Sequence, residues 1–275
     1  MAVWPEMESP PFPPFSYAFQ PIVDAEASSV FAHEALIRGR RGESAASVFA
    51  SLERCRLHVF DRESRIAAIT LAGRLGPPGL LSLNFLPQAL ETVPDAIDSM
   101  LSAASQAGLP TRNLILEVTE SEVIHDPLHL AKQLNAYRAA GLRLAIDDFG
   151  AGYAGLNLLA DFQPDVIKLD MALVRGIDTH GPRQAIARSV IQVCDDLGIE
   201  VIAEGIETEL EYRWFRRIGV RLFQGYYFGP PAFESMPQVN LSADDKGASA
   251  MQTDPLRTTT ATGSREELAA GPASQ

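Results

Sequence analysis

Between Tyr17 and Tyr227, short apolar runs rich in β-branched and aromatic residues alternate with longer amphipathic stretches. The short runs predict strands at Tyr17–Val23, Val30–Ile37, Leu80–Phe85, Leu114–Val118, Arg143–Asp147, Val166–Leu169, Glu200–Ala203 and Leu222–Tyr227. Helical patterns lie between most of them: RESRIAAITLAGRL, PDAIDSMLSAASQAG, PLHLAKQLNAYRAAG, PRQAIARSVIQVCDDLG and TELEYRWFRRIG. Several end in Gly, the common residue just past a helix C-terminus. Strands alternating with helices predict a mostly parallel sheet with right-handed crossovers, an α/β fold. Eight strands in about 225 residues suit a TIM-type (β/α)8 barrel, which takes roughly 200–250 residues. The first connection, at 24–29, is too short for a helix. The first two strands are therefore predicted to be antiparallel neighbours, modifying the regular barrel.

Outside this region the pattern stops. Residues 1–14 are proline-rich and read as an extended, disordered tail, and residues 241–275 as a low-complexity one. The ordered domain is expected over 15–240. The chain has 275 residues, with 23 Lys+Arg against 35 Asp+Glu, a formal charge of −12. That balance excludes a binder of polymeric nucleic acid, which needs a basic face, and a polybasic membrane anchor. Two cysteines without C-x-x-C spacing exclude a disulfide framework and a cysteine zinc site. No apolar run is long enough to span a membrane and no signal-peptide pattern opens the sequence, so a cytoplasmic location is expected.

The acids are not spread evenly. Glu34 and Arg38 end the second strand, Asn84 the third and Glu117 the fourth. Asp147 and Asp148 end the fifth, and Lys168 and Asp170 the sixth. Glu204 and Glu207 follow the seventh, and Gln224 lies in the eighth. In a parallel barrel these C-terminal ends open onto one rim, where active sites are built. A single strand-end carboxylate commonly caps the next helix. Seven strands bringing the same chemistry to one rim call for another explanation. Crowded carboxylates need cations, and one lysine and one arginine are too few. Oxygen donors with one Asn and no His or Cys suit Mg2+, Mn2+ or Ca2+. Adjacent aspartates can bridge two metals, the arrangement used for phosphoryl hydrolysis. GAGYAG at 150–155 matches a dinucleotide-binding glycine pattern, but Asp147 and Asp148 would face the pyrophosphate without counter-charge. It reads instead as a flexible loop over the rim. The five histidines show no metal-ligand spacing, and Ser82 and Ser121 have no His partner.

Taken together, HEALIRG, LSLNF, LILEVTE, LAIDDFGAGYAGL, DVIKLD, IAEGIE and FQGYYF, with the opening FQPIVD, resemble the EAL domain family of cyclic-di-GMP phosphodiesterases. The likeness runs from about Phe15 to Phe233. It implies a modified TIM barrel with one antiparallel strand and two Mg2+ or Mn2+ ions hydrolysing cyclic-di-GMP to linear pGpG. It casts Glu34, Asn84, Glu117 and Asp147 as ligands of one metal, with Asp147 bridging to a second near Asp148. Glu204 would be the general base, Lys168 would help hold the water, and Glu34 would also serve catalysis. Gln20, Leu36, Arg38, Asp170, Glu207 and Tyr226 would meet the substrate. Glu120 would steady the DDFG loop, and Gln224 would complete the site. Ca2+ is expected to inhibit, because its looser coordination misplaces the attacking water. The resemblance further implies a homodimer. With no recognisable sensory segment, regulation is expected through dimerisation, the tails or a protein partner. Two departures stand out: a short segment after Arg38, and Ala154-Gly155 where the family carries two serines. The alternatives are a non-catalytic cyclic-di-GMP receptor, a protein-interaction module, or an enzyme for another cyclic dinucleotide.

Overall fold

The computed structural model describes residues 12–119, 126–151 and 156–239. Eight strands close into a barrel: β1 (Phe15–Asp24), β2 (Ser29–Gly39), β3 (Leu80–Asn84), β4 (Leu114–Thr119), β5 (Arg143–Phe149), β6 (Val166–Leu169), β7 (Glu200–Ala203) and β8 (Leu222–Gln224). From β2 to β8 every neighbour is parallel. β1 runs against both β2 and β8 and closes the ring. The predicted antiparallel entry and all eight strands are thus present. The eighth ends at Gln224, three residues earlier than its apolar run suggests.

A short ninth strand, β9 (Ala232–Phe233), pairs with Phe19 and Ala18 of β1. β2 occupies the other edge of β1, so β9 resumes the edge that β8 leaves. The chain between them, 225–231, makes an excursion above the rim.

The predicted amphipathic helices appear as α2 (Leu57–Leu75), α4 (Asp98–Gln106), α5 (Pro127–Ala139), α8 (Gly181–Leu197) and α9 (Glu209–Arg217). A short helix also follows the GAGYAG stretch as expected, α6 (Asn157–Phe162), while the short turns α1 (Ala45–Ala50), α3 (Ala89–Thr92) and α7 (Met171–Val174) are not marked by the pattern. The long helices carry the expected signals. Asp126 caps α5, accepting from His129 N, with Pro127 in its first turn. Thr208 and Glu211 form a capping box on α9, and Gly76 and Gly198 close α2 and α8 in left-handed conformations. Among the described residues no helix is long and apolar enough to cross a membrane.

Alternation along each strand sorts the side chains. Outward residues such as Phe19, Leu81, Leu83, Leu116, Leu144, Ile167 and Phe223 join one large core with the helices. The inward residues Ile22, Ala32, Ile115, Ala145, Val166, Ile202 and Leu222 form a separate apolar plug low in the barrel. Two residues nearer the rim on each strand the inward positions turn polar: further along β2 to β8, and earlier in the reversed β1, at Gln20. A dry floor therefore lies beneath a layer of charges.

Of the two sequence tails, 1–11 and 240–275 lie outside the described residues. Phe12 is described, with its ring 5.3 Å from that of Phe60.

Candidate active site

The polar layer is built by register. β1 sets Gln20 opposite Glu34 of β2, Glu34 lies beside Ser82 of β3, and Asn84 lies beside Glu117 of β4. At its centre stands Lys168 of β6, whose side chain is 1% exposed. Its Nζ lies 3.1 Å from Glu34 Oε2, Glu117 Oε2 and Asp147 Oδ1, and 2.7 Å from Glu204 Oε1. An ammonium has three protons, and four carboxylates surround it. Glu34 and Glu117 accept aligned hydrogen bonds. The buried Asp147 Oδ1 and Glu204 Oε1 have close contact with the charge but no hydrogen-bond partner.

Neutral donors fill in around this centre. Gln224 Nε2 donates to Glu34 Oε2 at 2.6 Å, and Ser82 Oγ donates to Glu117 Oε1 at 2.6 Å. Asn84 Nδ2 approaches Glu34 Oε1 at 3.4 Å, and Gln20 Nε2 reaches Gly229 O at 3.4 Å. Ser82 was not among the expected site residues. It faces inward two residues before Asn84, so strand alternation alone could have found it.

The fifth strand needs a distortion to contribute twice. Adjacent strand residues point to opposite faces, so Asp147 and Asp148 would diverge. The β5–β6 register shifts between Ile146 and Phe149, and Asp148 takes a left-handed φ of 55°. Non-glycine residues rarely adopt that backbone, and such outliers concentrate at functional sites. The bulge turns both carboxylates toward the cavity. The loop after β7 is held differently. Ile206 N donates to Gln224 O, and a Cβ on Gly225 would meet Ile206 O at 2.1 Å. Only glycine lets β8 approach the Glu204 loop so closely.

Electrostatics follow from crowding. Burial and the charges of Asp147 and Glu34 push the Glu204 carboxyl well above its ordinary range, despite Lys168. Burial, with Glu34 and Asp147, raises Glu117 to about 8 against the pull of Lys168. Burial, Asp147 and Asp170 raise Asp148 to about 6. Burial also works against Glu34, but Lys168, Gln224 and Asn84 outweigh it and hold that carboxyl low. Burial opposes the Lys168 charge as well, yet the four acids together drive its ammonium well above normal.

Carboxylate oxygens of Glu34, Glu117 and Asp147 lie within 4.8 Å of one another, as do those of Asp147, Asp148 and Glu204. Asp147 belongs to both groups. All the donors are oxygens, two of them buried without hydrogen-bond partners, so the residues present fit a pair of hard divalent cations. Glu204 falls within the second group as well as beside Lys168. None of the described histidines joins either group.

Other expected residues lie around this centre. Gln20, Asp170, Glu207 and Tyr226 line a cavity of about 320 Å3 with Asp147, Asp148 and Glu204. Leu36 and Arg38 line a second, largely apolar cavity of about 570 Å3 with Asn84, Glu117, Phe49 and Leu52. Asp170 does not contact Lys168 as a pair; it caps α7 through Ala172 N. Glu207 stands apart from the carboxylate cluster, exposed and ion-paired with Arg175, a residue the sequence reading did not single out. Glu120 and the loop residues 152–155 lie outside the described residues.

A family model described as EAL domain matches residues 14–231. The chain belongs to the EAL domain family. Its EAL barrel overlays a standalone versatile EAL protein of Vibrio cholerae O395, solved with c-di-GMP bound, with a TM-score of 0.79 and 43% identity. That match covers 84% of this chain and 98% of the other. BlrP1 of Klebsiella pneumoniae, solved as a manganese/cyclic-di-GMP complex, matches with a TM-score of 0.78 and 44% identity, over 82% of this chain and 58% of BlrP1. BlrP1 has also been solved as a calcium/cyclic-di-GMP complex. Among curated relatives, the blue light- and temperature-regulated antirepressor BluF of Escherichia coli is 35% identical over 224 residues, 81% of this chain. The cyclic di-GMP phosphodiesterase RocR of Pseudomonas aeruginosa is 32% identical over 160 residues, 58% of this chain. The chain spans about half the length of these relatives, 56% of BluF and 40% of RocR.

Proposed function

We propose that this EAL domain is a metal-dependent phosphodiesterase that hydrolyses cyclic-di-GMP to linear pGpG in bacterial second-messenger signalling. The observation that carries the reading is the double carboxylate cluster: two acidic groups sharing Asp147 around a single buried lysine. The names of RocR and of the two cyclic-di-GMP-bound neighbours supply the substrate class.

Glu34, Asn84, Glu117 and Asp147 would hold one Mg2+ or Mn2+, and Asp147 with Asp148 the other. Bound divalent ions supply charge neutralisation at the phosphate and a water acidified toward neutral pH. Asp147 Oδ1 and Glu204 Oε1 meet the Lys168 charge as ion pairs without an aligned hydrogen bond, so a cation could share them at little cost. Lys168, ion-paired with all four carboxylates, keeps them from repelling one another apart and would come within reach of the attacking water once cations take over part of that charge. Glu204, 2.7 Å from Lys168 at the edge of the carboxylate cluster, would take the proton of the attacking water. Water adds to phosphorus, the bond to the 3′-oxygen breaks, and that oxygen takes a proton from solvent to leave as the 3′-hydroxyl of pGpG, while Glu204 returns its proton to solvent. Gln20, Leu36, Arg38, Asp170, Glu207 and Tyr226 would contact the dinucleotide across the two cavities, and Gln224 would fix Glu34. Glu120 would steady the DDFG loop. The enzyme would act in the cytoplasm as a homodimer, its activity set by the dimer or a protein partner; light scattering tests the dimer.

The deciding experiment incubates purified protein with cyclic-di-GMP and Mg2+ or Mn2+ and follows pGpG by chromatography. Turnover is expected, with inhibition when Ca2+ replaces the smaller ion. Binding without turnover would overturn the enzyme reading in favour of a receptor. The name of BluF, an antirepressor, favours a second reading in which this surface binds a protein. Absence of both binding and turnover would point there.

A further inference from the structure

Among the described residues lining the cavity with Asp148, Asp170, Glu204 and Glu207, the cations are Lys168 and Arg175. Lys168 has no charge to spare, since four carboxylates lie within 3.1 Å of its Nζ. Arg175 is in a different position. Its backbone is anchored: its N–H donates to Met171 O at 2.9 Å, and its carbonyl accepts Arg183 Nη1 at 2.7 Å. The next residue, Gly176, donates its N–H to the buried Glu211 at 2.8 Å. Its head, by contrast, is half in solvent. The guanidinium pairs with Glu207, and the two side chains are 52% and 45% exposed. Such exposed pairs contribute little, so exchanging one partner for another costs little.

A cyclic dinucleotide carries two phosphodiester charges. The reacting one belongs over the metal-binding carboxylates. The other must lie beside them; where it lies within this cavity the walls are otherwise acidic and would repel it, since Arg38 faces the second cavity. We propose that Arg175 releases Glu207 and receives the non-reacting phosphodiester of the substrate. This inference rests on the cyclic-dinucleotide reading of the same site. A guanidinium offers paired N–H donors that match two phosphate oxygens, which an ammonium does not. The anchored stem and exposed head suit a residue that changes partner without moving its backbone. Arg175 is thereby a determinant of affinity for a substrate with two phosphates, with no part in bond breaking.

The test compares wild type, Arg175→Ala and Arg175→Lys in Mn2+, on cyclic-di-GMP and on bis(p-nitrophenyl) phosphate, which has one phosphodiester. Arg175→Ala is expected to raise KM and Kd for cyclic-di-GMP about tenfold, the loss of roughly one charge-assisted contact. Its kcat should stay within about twofold, since only binding away from the reacting centre is removed. Hydrolysis of the one-phosphate substrate should not change, and Lys should recover part of the affinity. An unchanged KM and Kd for cyclic-di-GMP, or equal losses on both substrates, would overturn the proposal. The parent reading fails separately, when wild type neither binds nor hydrolyses cyclic-di-GMP. If wild type binds without turnover, the Kd arm by calorimetry still decides the role of Arg175.

Discussion

The two ends of the barrel use the same residue types to opposite effect. At the base of the barrel, opposite the rim, acids and arginines pair off. Asp24 and Glu200 both pair with Arg221, Glu200 also pairs with Arg143, and Asp165 pairs with Arg138. Three acids meet three arginines, and each has its counter-charge. At the C-terminal ends, Glu34, Glu117, Asp147 and Glu204 share the one ammonium of Lys168, and Asp148 stands beside them. The lower ring is balanced and solvated. The upper cluster is buried and short of positive charge. Balanced charge closes a surface, whereas unbalanced buried charge marks a place waiting for a cation.

Substitutions and conditions can break that contrast, beginning with the strongest. Glu204→Gln keeps shape and removes the proton acceptor. It should lower kcat on cyclic-di-GMP by about 100-fold or more, read from the rate of pGpG formation. A full rate would show that the base lies elsewhere. Lys168→Met leaves four carboxylates without their shared cation. In EDTA it should lose about 3–5 kcal/mol in urea unfolding, with Mn2+ restoring part of it.

A third test uses pH. The folded state raises Glu117 from 4.5 to about 8 and Asp148 from 3.8 to about 6. Through these groups the fold binds protons that the unfolded chain has lost, so the metal-free protein loses stability as pH rises across that window. Metal binding displaces the same protons and strengthens as pH rises. The rise in Tm caused by Mn2+ should therefore be larger at pH 8 than at pH 6. Equal shifts at both pH values would contradict it. The smallest effect belongs to the lower ring. Arg143→Met should cost about 1 kcal/mol or less, with pGpG formation unchanged, because Arg143 and Glu200 are 40% and 32% exposed.

The upper half of this contrast was legible in the chain because strands impose a period of two, whereas the pairings of the lower ring were not. The inward series Glu34, Glu117 and Lys168 follows from alternation once the strands are placed, and the antiparallel first pair follows from a connection too short for a helix. What escaped depends on distance through space or on backbone strain. β9 has two residues, too few for any period. The bulge that turns Asp148 inward rests on a register shift that no residue type announces. The partner of Glu207 also escaped: Arg175 is 32 residues away in sequence, and no spacing ties the two together.

The reversed first strand bears on how such a barrel can be wired. In a regular barrel the chain arrives at the closed base. Here Phe15 pairs with Gly39, at the rim, and β9 leaves beside Ala18 at the same level. Whatever polypeptide is joined ahead of β1 or behind β9 is delivered to the end that carries the carboxylates. The strand that enters there bears Gln20, the cross-strand neighbour of Glu34, above the apolar plug.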